Sequence, residues 1–159
     1  MKADNSTPTI IGRAEIITFP EITRVEAHAR IDTGAQTSSV WVSDIKLENG
    51  VLYAVFFGVG HPAYTGKKVI FEEFSETVVA SSTGHTEHRY KVKILVKIAG
   101  RKIRARFTLA DRSEQAYPVL IGRNVLRGKF IVDVKLGATL DSAEKARSFK
   151  LQSKLEGRN

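Results

Sequence analysis

A chain of 159 residues, 42% apolar and 26% charged, has the length and composition of one globular domain, enough to bury about two-thirds of the surface its unfolded form exposes. Cysteine is absent, which excludes a disulfide framework, a thiolate nucleophile and a cysteine-ligated zinc. The formal charge of +8 points to an acidic polypeptide or a nucleic acid as partner, or to a solubilising surface.

In chain order, residues 1–9 read as a loose tail. Met1 to Pro8 lacks the apolar core of a signal peptide, and no apolar run is long enough to cross a bilayer. A soluble cytoplasmic protein is therefore expected (periplasmic if a signal peptide has been removed), with no membrane partner. Ile10 to Phe19 is the first predicted strand, stopped by Pro20. Arg24 to Ile31 is the second, and it runs directly into Asp32-Thr33-Gly34. Val40 to Leu47 and Val51 to Phe57 flank Asn49-Gly50, a two-residue hairpin signal. Residues 58–66 form a loop, Lys68 to Phe71 and Thr77 to Ala80 are extended, and Ser81 to His85 is a turn.

From Arg89 to Arg106 the chain carries eight basic residues and no acidic one. Alternation puts Val92, Ile94, Val96 and Ile98 on one face and Lys91, Lys93 and Lys97 on the other. After the Ala99-Gly100 turn, Ile103, Ala105, Phe107 and Leu109 face inward while Arg104 and Arg106 face out. The prediction is a hairpin with one basic face, which either attracts a polyanion or protects an edge with lysine. Aromatic residues for base stacking are missing from that face, so a nucleic-acid partner is not expected. Leu120-Ile121 is a further strand, Asn124 to Leu126 one helical turn, and Phe130 to Val134 the last strand. Beyond Ala138, Asp141 can cap a helix whose apolar face would be only Ala143, Phe149 and Leu151, so residues 138–159 form a charged tail or a marginal helix. Short strands separated by turn signals describe an all-β, closed barrel domain over residues 10–137.

Two segments carry the chemistry. Asp32-Thr33-Gly34 ends one apolar strand, and Val119-Leu120-Ile121-Gly122-Arg123-Asn124 is a second apolar strand ending in glycine. Asp and Gly are common turn residues, so the triplet alone also describes a polar turn. Together the segments resemble the retroviral-type (retropepsin) aspartic proteases. There Asp-Thr-Gly supplies the catalytic carboxylate, and a hydrophobic-hydrophobic-Gly-Arg segment crosses behind it. The longer runs Ala29 to Ser39 and Tyr117 to Arg123 are similar to a bacterial retropepsin-like family. Its members are often labelled ATP-dependent zinc proteases, and are associated with the ATP-grasp ligase that adds glutamate to a ribosomal protein.

The resemblance implies a retropepsin-like β-barrel with one short helix after the Gly-Arg segment. It also implies aspartic peptide hydrolysis, in which two close carboxylates share a proton and one activates water. Asp32 would be the catalytic residue, Thr33 would brace a partner loop, and Gly34 and Ala35 would leave room for the substrate backbone. The segment Val78 to Tyr90 stands where that family has a flap, which would make Ser82, Thr83, Gly84 and His85 substrate-binding; an ordinary solvent-exposed turn is the alternative. One triplet per chain implies a homodimer, each copy giving one Asp32. A peptide or protein substrate, and weakly a glutamate-rich one, follows from the family association and the positive charge.

No His-Glu-x-x-His and no Gly-rich phosphate loop are present, and a spacing of three on a strand would put His85 and His88 on opposite faces. No metal and no cofactor are therefore expected, and His28 and His61 read as ordinary strand and loop histidines. Two departures from the retroviral pattern matter. Gln36 stands where an acidic residue pairs with the arginine, so Arg123 must bond backbone carbonyls or Glu26. An extra hairpin over residues 45–67 could cover or replace an interface. The competing function is a monomeric peptide-binding module on the same fold, without catalysis.

Overall fold

The computed structural model describes residues 7–80, 84–138, 140, 150 and 153–157. Among the described residues up to position 138, eleven strands and one helical turn follow one another: β1 (Thr9–Ile11), β2 (Ala14–Phe19), β3 (Thr23–Ile31), β4 (Ser38–Glu48), β5 (Val51–Phe56), β6 (Lys68–Phe71), β7 (Ser75–Ala80), β8 (Thr86–Ile98), β9 (Arg101–Ala110), β10 (Val119–Ile121), α1 (Arg123–Leu126) and β11 (Phe130–Val132). Hydrogen bonding runs β10-β3-β2-β8-β9-β4, and β10 pairs back onto β4, so these six strands close a barrel. Closure removes the sheet edges that six short strands would otherwise expose.

The predicted alternation is what fills the barrel. Val92, Ile94, Val96 and Ile98 of β8 and Ile103, Ala105, Phe107 and Leu109 of β9 are all buried, and the two strands pair in register from Lys91↔Thr108 to Ile98↔Arg101. Phe19 sits at the centre, edge-on to Phe107 at 5.4 Å and tilted against Phe56 and Phe57. The extra hairpin extends the sheet from β4 through β5 to β6. Leu52, Ala54 and Phe56 point into the core, so this insertion is packed onto the barrel. Its connecting loop is closed by His61, which is buried, stacks on Phe57 at 4.6 Å and accepts a hydrogen bond at Nδ1 from the Ala63 amide (3.0 Å).

One predicted strand divides in two. The run expected from Ile10 to Phe19 breaks at Gly12-Arg13, because the C-terminal segment crosses there. The Arg13 amide donates to Leu136 O at 3.0 Å and the Ala138 amide to Ala14 O at 2.8 Å. A Cβ on Gly12 would lie 2.3 Å from Gly137 N, so only glycine admits the crossing. The freed piece, β1, pairs in parallel with β11 as a separate two-stranded ribbon, and Val134, placed in the last strand by sequence, lies beyond it in a turn. Residues 153–156 are helical; Asp141, Ala143, Phe149 and Leu151 lie outside the described residues. No helix among the described residues is long and apolar enough to cross a membrane.

Candidate active site

The loop carrying Asp32 leaves β3 and enters β4, and β10 fills the gap between those two strands. It pairs in parallel with β3 (Val119↔Ala29, Leu120↔Arg30, Ile121↔Ile31) and antiparallel with β4 (Val119↔Val40, Leu120↔Ser39). Leu120 and Ile121 thus pass directly behind the loop, as the motif pair predicts. The Asp32 amide donates to Ile121 O at 2.9 Å, and the Arg123 amide donates to Ala35 O at 2.8 Å. Gly122 lies between these two contacts. A Cβ there would sit 2.3 Å from Thr37 O and 2.8 Å from Ala35 O, so glycine is required by close approach.

Behind the crossing lies a polar brace. The buried Ser38 hydroxyl accepts from the Gly122 amide (2.9 Å) and donates to Asn124 Oδ1 (2.8 Å), while Asn124 Nδ2 donates to Arg106 O (2.8 Å). One hydroxyl and one carboxamide therefore tie the loop, the crossing strand and β9 together. Nothing in the sequence marks Ser38 for this role, because its burial beside Gly122 depends on a partner 84 residues away. Arg123 Nη1 donates to Thr33 O at 3.2 Å. Its partner is a loop carbonyl and not Glu26, as a chain with Gln36 in place of an acid requires.

On this frame the Asp32 carboxylate is half-buried, and its Oδ1 accepts the Gly34 amide at 2.9 Å. Thr33 and Gly34 are exposed and Ala35 is half-buried, so the four predicted loop residues form one outward-facing platform. The predicted flap is a hairpin of β7 on β8, paired from Ser75↔Lys91 to Ala80↔Thr86. Gly84 and His85 are exposed at its end, Gly84 with φ +84°; Ser82 and Thr83 lie outside the described residues. Among the described residues, no group of three or more His, Asp or Glu side chains is arranged to hold a metal ion.

Two cavities flank the loop and share Gln36 and Asn124 as a wall. One, of about 390 Å³, is lined by Thr37, Lys91, Lys93, Arg104 and Arg106, so the basic face predicted for β8 and β9 opens beside the Asp32 loop. Of these cations Arg104 is paired, with Glu21 at 2.6 Å. The other, of about 810 Å³, is lined by Thr33, Arg123, Arg127 and an apolar floor from α1 and β11.

A closed β-barrel whose Asp-Thr-Gly loop is pinned by a crossing Gly-Arg strand defines the retropepsin-like class. More narrowly, the model for the RimB-like family, described as retropepsin-like aspartic endopeptidase RimB, matches residues 10–142, and the chain belongs to that family. A probable alpha-L-glutamate ligase from Shewanella pealeana is 31% identical over 130 residues, which are 78% of this chain and 28% of that protein. One from Desulfotalea psychrophila is 26% identical over 158 residues, 94% of this chain and 33% of the relative. The chain thus spans only 28% to 33% of these curated relatives. A solved Legionella pneumophila protein of unknown function superposes with a TM-score of 0.62 at 24% identity, covering 84% of this chain and 98% of its own, which shows a shared fold.

Proposed function

We propose that the chain is one half of a two-fold-symmetric aspartic peptidase, in which Asp32 of each copy contributes one carboxyl. The observation carrying this reading is the presentation of Asp32: half-buried, on an exposed loop held from behind by β10. In the pair, one carboxylate takes a proton from water as that water attacks the peptide carbonyl carbon. The partner carboxylic acid gives its proton to the carbonyl oxygen, and collapse of the resulting diol passes a proton to the leaving nitrogen. One copy alone has one such carboxyl on its loop and cannot do both. Support for a second copy comes from the β1–β11 ribbon, where the register partners Ile10 and Ile131 are 60% and 56% exposed.

Acidic, glutamate-rich peptides are the proposed substrates. The cavity lined by Lys91, Lys93 and Arg106 adjoins Gln36 and Thr37, and relatives named glutamate ligases contain a stretch similar to this chain. The test is incubation with a degenerate peptide library that includes polyglutamate, alongside Asp32→Asn. The variant retains an oxygen to accept the Gly34 amide, so it should keep its thermal midpoint and lose all cleavage. Undiminished cleavage would move the chemistry elsewhere. A monomeric, inert wild type that still binds peptides would favour the second reading, a non-catalytic binding module, which is supported by the small share of the ligase-named relatives that this chain represents.

A further inference from the structure

The larger cavity holds two guanidinium groups that the peptidase reading does not use. Arg123 is the first residue of α1 and Arg127, four residues on, is its C-cap, and both line this cavity. Neither forms an ion pair with a carboxylate among the described residues; the one side-chain hydrogen bond of Arg123 goes to a neutral carbonyl, Thr33 O. Gln36, in the same wall, is neutral too. Two like charges therefore line one concave surface that has no carboxylate among its lining residues. Beneath them the lining is apolar, with Leu126 and Phe130 at 5% and 9% exposure and Val132 beside them. At about 810 Å³ the cavity is within the size range of small-molecule sites, and it has their usual make-up of apolar walls and a few convergent polar groups.

We infer that this cavity binds a small monocarboxylate with an apolar tail, its head on Arg123 and Arg127 and its tail on Leu126, Phe130 and Val132. The fork of each guanidinium matches a carboxylate in geometry and charge, and the floor excludes a fully hydrated anion such as acetate from its best contacts. Because Arg123 also holds Thr33 O, the site lies one hydrogen bond from the Asp32 loop. Its existence does not depend on catalysis, so binding and cleavage can fail separately.

The experiment is calorimetric titration of the full chain with hexanoate, with acetate, hexanol and hexylamine as comparison probes at constant ionic strength. Hexanoate should bind saturably and all three others at least about tenfold more weakly, as expected when one charge-assisted contact or the apolar tail is lost. Arg127→Gln should weaken hexanoate by roughly tenfold. Gln36→Asp should do the same by supplying a carboxylate to Arg123 from within the chain, and Lys46→Gln, on β4 and outside both cavities, should leave hexanoate affinity unchanged. Amide chemical shifts should move in Thr33, Gln36 and Arg123 to Gly128. Equal binding of hexanoate and acetate, or hexanoate affinity unaltered in both Arg127→Gln and Gln36→Asp, would overturn the assignment.

Discussion

Replacing Gly122 with alanine tests the crossing that holds Asp32 in place. The added Cβ would meet Thr37 O at 2.3 Å, Thr37 C at 2.7 Å and Ala35 O at 2.8 Å, all backbone atoms of the loop that cannot rotate away. Relief requires the loop and β10 to separate by several tenths of an ångström or more. That displacement stretches the bonds from the Arg123 amide to Ala35 O and from the Asn124 amide to Gln36 O, now 2.8 and 3.3 Å. Overpacking strain of about 1–3 kcal/mol and two weakened hydrogen bonds at about 0.5–1.5 kcal/mol each give a total loss of about 2–6 kcal/mol. Urea unfolding followed by Trp41 fluorescence measures it, and the midpoint should fall with the slope unchanged. Gly34→Ala is the control, since its Cβ meets only Asp32 Oδ1, at 3.3 Å, and its loss should be under about 1 kcal/mol. Indistinguishable midpoints for Gly122→Ala and wild type would refute the claim that close approach at this glycine organises the loop.

Ser38→Ala removes the acceptor of the Gly122 amide and the donor to Asn124 Oδ1, and should destabilise by about 1–3 kcal/mol for the polar groups left buried; thermal unfolding reads this, and no loss would discount the brace. Thr33→Val keeps the side-chain shape without the hydroxyl and should weaken self-association by about 0.5–1.5 kcal/mol per intersubunit hydrogen bond, seen by sedimentation; unchanged association would remove Thr33 from the interface. Replacing Lys91, Lys93 and Arg106 with glutamine should slow cleavage of glutamate-rich peptides at low salt. The deficit should shrink as ionic strength rises, because exposed charges are screened beyond roughly 8–10 Å at physiological salt; equal loss on neutral peptides would argue against steering.

The barrel strands were legible in the sequence because alternation between apolar and charged residues is a local property. From Val92 to Leu109 every inward position could be assigned from neighbours two residues away, and all eight assigned side chains are buried. The pair of motifs was legible for a different reason, since the closely packed backbone at Gly122 tolerates no larger residue. Contacts between distant segments were not legible. The break at Gly12-Arg13 exists because residues 136–138 cross it, and no pattern within residues 10–19 encodes that neighbour. Likewise, Ser38 looked like one of several small polar residues until β10 placed Gly122 and Asn124 against it. The absent acid at position 36 showed only that Arg123 needed another partner; tertiary structure supplied the Thr33 carbonyl and set Arg127 in the lining of the same cavity. Periodicity and glycine placement determined which residues face inward and where Asp32 is held. Only the folded chain, bringing segments some 90 residues apart within hydrogen-bonding distance, decided what surrounds it.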